Sequence, residues 1–159
     1  MSINSLNPYM DHMTSVRAFC TRLVEGGTLG LIAGPKGPLV DFDTFGDGEE
    51  LPPNDLIGPA AFTMSINDHL IVVTVMFGIG TQGDKNSYRL NNAISELVKN
   101  LLPTKKIPVI RATDGVKLGT MAVGESVQVL PVRGDPDRNL KFVAVELHST
   151  VTFDLSSDD

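Results

Sequence analysis

Cysteine is almost missing from this chain, and lysine and arginine are wholly missing from residues 37–84. The single cysteine, Cys20, excludes an internal disulfide and a zinc site built on several thiolates. A reducing, cytoplasmic setting is expected for the free protein. No apolar run approaches the roughly 20 residues of a membrane-spanning helix, so no membrane partner is expected. The opening MSINSLNPYMDHM lacks a basic segment followed by an apolar one, so no secretory leader is expected either. Within the stretch without basic residues, Asp41, Asp43, Asp47, Glu49, Glu50, Asp55, Asp68 and Asp84 all carry one sign of charge. With a net charge of −6 and Lys105-Lys106 as the only adjacent basic pair, the chain would repel a nucleic-acid backbone. Sequence-specific nucleic-acid binding is not expected.

What is present points to a folded domain. At 159 residues and 42% apolar composition, the chain is long and apolar enough to bury a core, which argues against wholesale disorder. Tyr9, Met13, Val16, Cys20, Leu23 and Val24 recur at helical spacing, with Asn7-Pro8 as an N-cap and first helical position and Gly26-Gly27 as the stop. Residues 29–33 and 39–42 could form short strands, and residues 34–59 form a long excursion rich in glycine, proline and acids. Residues 61–66 and 70–79 read as a strand pair. The second is apolar on both faces, which predicts a central strand covered on both sides.

The spacing of Leu90, Ala93, Ile94, Leu97, Val98, Leu101 and Leu102 predicts a second amphipathic helix, capped by Ser87 or Asn86 and stopped by Pro103. Residues 127–132 and 142–153 read as a hairpin. In its last strand Val143, Val145, Leu147, Val151 and Phe153 face inward, while Ala144, Glu146, His148, Thr150 and Thr152 form a wet face. The expectation is one α+β domain over residues 1–159, a mainly antiparallel sheet packed against two amphipathic helices, with an acidic tail at 154–159.

Several motifs suggest chemistry and lose to simpler readings. Gly78, Gly80 and Gly83 match G-x-G-x-x-G, but helical periodicity starts only near Leu90, and the acid expected about 20 residues further on is missing. They read as loop glycines. AGPKGP at 33–38 lacks the G-K-[ST] end of a phosphate-binding loop. His12, His69 and His148 each have an acid close by, and Glu146 with His148 could form a proton relay or weak metal pair, yet an exposed strand face explains them as well. Arg133-Gly134-Asp135 suits a hairpin tip, and the carboxylates of residues 41–55 do not follow calcium-loop spacing. Cys20 reads as core. No catalytic residue, cofactor or metal is expected.

The order of elements is an N-terminal helix, an extended stretch, a strand pair, an amphipathic helix and a closing hairpin. It resembles the tail terminator family of tailed bacteriophages, most specifically over SVQVLPVRGDPDRNLKFVAVELHSTVTF at 126–153 and HLIVVTVMFGI at 69–79. The resemblance covers residues 61–153 and, more loosely, the first helix. It implies a six-membered ring around a channel through which DNA can pass, capping the tail tube. The partners it implies are further copies of itself, the tail tube protein, a neck or head-completion protein and, in some tails, a sheath. The location would be the virion tail or neck, after synthesis in the host cytoplasm. Candidate assembly or channel contacts are Asp41, Asp43, Asp47, Glu49 and Glu50 in the excursion, and Arg133, Asp135, Asp137 and Arg138 in the hairpin loop. The alternatives are another tail or neck adaptor and, in a different class, a small nucleotide- or ligand-binding enzyme domain.

Overall fold

Helix α1 (Pro8–Glu25) starts with proline at its first position, where the missing N–H costs nothing, and stops at Gly26 and Gly27, the latter at φ +69. Asn7 serves through its backbone only: its carbonyl accepts the Asp11 N–H at 2.9 Å, and its side chain makes no cap bond. The chain is seen here in a computed structural model, and its described residues are 7–32, 55–67, 70–102, 105–131 and 138–151. They form the expected α+β fold, an antiparallel sheet packed against two helices.

Five described strands follow α1: β1 (Leu56–Asn67), β2 (Leu70–Gln82), β3 (Lys106–Ile110), β4 (Lys117–Pro131) and β5 (Arg138–Ser149), with helix α2 (Tyr88–Lys99) between β2 and β3. Their order in the sheet is β1-β2-β5-β4-β3, and every pairing is antiparallel. The middle strand is therefore β5, with β2 beside it.

Both helices contribute to one core. Val16, Phe19, Cys20 and Leu23 of α1 and Leu90, Ala93, Ile94 and Leu97 of α2 join Ile71, Val73, Val75, Phe77 and Ile79 of β2 and Val143, Val145 and Leu147 of β5. The opposite face of β2 is not covered on the scale expected: Leu70 is 65% exposed, Thr74 is exposed, and Val72 and Met76 are half-buried. An apolar residue on a strand shows that the face can be buried, and among the described residues only one face meets helices.

Helix α1 lies against both outer strands. Tyr9 meets Phe62 of β1 at 5.2 Å between ring centroids, while Ser15 reaches Ile110 of β3. The outer strands of a five-stranded sheet stand about 19 Å apart when flat, and α1 reaches both within two turns. Helix α1 thus ties the two margins of the sheet to each other.

Other expectations are corrected. Residues 29–32 form no strand, and residues 39–42 lie outside the described residues. Both hairpin strands begin earlier than expected, β5 ends at Ser149 rather than 153, and β3 was not anticipated. Its five residues, with Pro108 at the centre, are too short to show alternation. Gly78 and Gly80 lie inside β2 opposite Gly58 and Leu56, and only Gly83 occupies a left-handed turn, at φ +62.

Candidate functional site

Two polar clusters hold the described residues in place. The first forms the corner between β2 and α2. Here Asn86 and Ser87 both take positive φ, 62° and 58°, which places Ser87 in the left-handed region with no side-chain cap bond. The expected caps are thus displaced by Asp84. Its Oδ1 accepts the Arg89 N–H at 3.1 Å, and its Oδ2 accepts the Leu90 N–H at 2.9 Å and the Thr81 hydroxyl at 2.9 Å. Burial pushes the Asp84 carboxyl up, but the bonds from Leu90, Arg89 and Thr81 more than offset this, so it lies below its ordinary range.

One turn away, Arg89 forks onto Asp55. Nε meets Oδ2 at 3.0 Å and Nη2 meets Oδ1 at 3.1 Å, while Nη2 also donates to the Gln82 carbonyl at 2.7 Å. Asp55 is buried and also accepts the N–H of Ile32 at 2.8 Å and of Gln82 at 3.2 Å. The hydrogen bond to Asp55 raises the affinity of Arg89 for its proton. Residues 32 and 55 thereby meet on one carboxylate, so the chain leaves and re-enters the described fold at a single clamp.

The second cluster bolts α1 to the sheet. His12 is 0% exposed. Its Nδ1–H donates to the Pro8 carbonyl at 2.7 Å, because a carbonyl can only accept, and its Nε2 accepts the Ser149 hydroxyl at 2.8 Å. Burial lowers its proton affinity, only partly offset by the Pro8 carbonyl and Asp11. Asp11 Oδ1 takes the Ala112 N–H at 2.9 Å, and the Ser15 hydroxyl oxygen takes the Ile110 N–H at 2.8 Å.

The His12–Ser149 spacing is that of a base and a serine nucleophile. Here the imidazole is wholly buried and its other nitrogen is held by the Pro8 carbonyl, and the Ser149 oxygen also accepts the Val151 N–H at 3.0 Å. The pair fastens the helix. Periodicity could not show this, because it selects apolar positions and passed over Asp11, His12 and Ser15.

On the open face, His148 Nε2 and Glu146 Oε1 are 2.8 Å apart, each about half exposed, on a strand face as wet as expected. Among the described residues no group of three or more His, Cys, Asp or Glu side chains is placed to hold a metal ion. Cys20 is buried in the core as expected, its thiol pushed up to about 12 by burial.

What remains is surface. Leu70, Val72, Met76, Ala144, Phe142 and Leu130 share the face turned away from the helices, all exposed or half-buried. At the margin of β1, Asn7, Pro8, Tyr9, Met10, Met64 and Ile66 line an apolar groove of about 390 Å³. Of the contacts expected from the sequence, Asp41, Asp43, Asp47, Glu49, Glu50, Arg133, Asp135 and Asp137 lie outside the described residues, as do His69 and Pro103. Arg138 opens β5 opposite Gln82. No protein-family model matches this chain, and no curated protein matches it.

Proposed function

We propose that the chain is a structural virion protein of a tailed bacteriophage, a subunit of a six-membered ring that caps the tail tube and joins it to the neck. The observation that carries this reading is the order of elements. A leading helix, an antiparallel strand pair, an amphipathic helix and closing antiparallel strands follow one another as in the family that the sequence resembles. A sheet with one face left open and apolar in part suits a protein whose work is contact with neighbours. A ring needs two different surfaces on each subunit that meet and close. We assign that role to the open face and, as candidate contacts, to Asp41, Asp43, Asp47, Glu49, Glu50, Arg133, Asp135, Asp137 and Arg138.

The test is the light-scattering mass of the purified protein, with and without divalent cations and then with tail tubes. A discrete species of about six subunits, or protein seated at tube ends in electron micrographs and blocking their growth, is the expected result. A chain that stays monomeric and ignores tube ends removes the reading. Neutralising Asp41, Asp43, Asp47, Glu49 and Glu50 together should impair assembly or DNA passage, and normal infectious particles would remove the acidic segment's role.

A further inference from the structure

The two margins of the sheet are built differently. At β3 the edge is closed: Ser15 and Asp11 occupy the N–H groups of Ile110 and Ala112, and Pro108, in the middle of the strand, has none. Lys105 and Lys106 stand exposed at its start. These are the devices by which sheets avoid edge-to-edge pairing.

The β1 margin has few of them. Among the described residues no strand pairs with its outer side. Its sequence, LIGPAAFTMSIN, carries no charge, and its one proline and its register shift both lie before Ala61. From residue 61 to 67 the strand is regular and mostly exposed. Within it Ile66 is 44% exposed, and beside it Tyr9 and Met10 of α1 are 49% and 55% exposed.

We propose that the 61–67 half of β1 pairs antiparallel with the same segment of a second copy, about a two-fold axis. Because β3 is closed, β1 to β1 is, among the described residues, the edge pairing left to two copies, and the absence of charge removes the repulsion that would oppose it. The pairing sets Phe62, Met64 and Ile66 of one copy beside those of the other, continuing the helix-side face across the axis. The grooves beside Tyr9 and Met10 then adjoin and lose their solvent. A two-fold contact uses one patch twice and cannot by itself propagate a ring. It therefore belongs to the free protein and does not rest on the tail reading.

Sedimentation equilibrium over about a thousandfold dilution tests it. The expected result is a monomer–dimer equilibrium that Thr63→Lys and Ser65→Lys each weaken by about tenfold or more. Gln128→Lys, the same charge on exposed β4, should leave it unchanged, with circular dichroism confirming that all three variants fold. Because Cys20 is buried and its thiol is held protonated, Thr63→Cys or Ser65→Cys provides the one reactive thiol. A short bismaleimide should then link two copies through the same residue, as only a two-fold contact allows. A monomer at every concentration, an association indifferent to both lysines, or the lack of same-residue cross-links would each overturn the proposal.

Discussion

Arg89 shows how much of this fold hangs on single side chains. It satisfies a carboxylate, Asp55, that is 2% exposed, and both oxygens of that carboxylate are used. Arg89→Met would leave a buried charge with only two backbone donors, at a cost of about 2–3 kcal/mol. Urea unfolding would measure it, and Arg89→Lys should restore less than half, because an ammonium cannot make the fork. His12 makes a prediction with a sign. Unfolded, it titrates near 6.5; folded, burial holds it lower. Between those values the unfolded chain binds more protons, so stability is lost as pH falls below about 6.5 and levels off below the folded value. Asp84 acts in the same direction but lower, since its contribution is present above 3.8 and lost as pH falls through the carboxylate range. Comparing unfolding free energies at about pH 7.5 and about pH 5.5 isolates the histidine. The drop should shrink in His12→Gln, and an unchanged drop would assign it elsewhere.

At the scale of elements, the least expected partnership is between α1 and β3. A strand of five residues with a central proline is a poor strand by itself. It is held by β4 on one side and by side chains of α1 on the other. Ser15→Ala removes the acceptor of the Ile110 N–H without touching the pairing with β4. The Ile110 amide should then exchange hydrogen about tenfold faster or more, while core amides such as that of Val145 keep their protection. Equal rates in both proteins would mean that the strand is held by β4 alone. Helix α2 had the strongest periodicity in the sequence, and Leu90, Ala93, Ile94 and Leu97 are indeed buried. Its cap was not legible, because Asp84 acts across two left-handed residues, a geometry that local capping rules do not contain.

For the whole molecule, what matters is which surfaces remain after folding. Among the described residues, two helices and one sheet leave one sheet face and one margin open. The open face suits the contacts of a ring, and the open margin suits a two-fold pair. The two readings make different demands on a mass measurement, and the same-residue cross-link separates them.

Residue types and periods by themselves determined the helix positions, the strand pair, the alternation of β5 and the place of Cys20, because each is set by neighbours close in sequence. Only the tertiary structure decided which apolar faces are covered, that Asp84 and Arg89 lock a corner, and that Asp11, His12 and Ser15 are interior. Those outcomes depend on residues brought together from distant parts of the chain, such as Ser15 with Ile110, His12 with Ser149 and Arg89 with Asp55. Burial and hydrogen bonding there are properties of the contact, and no single segment carries them.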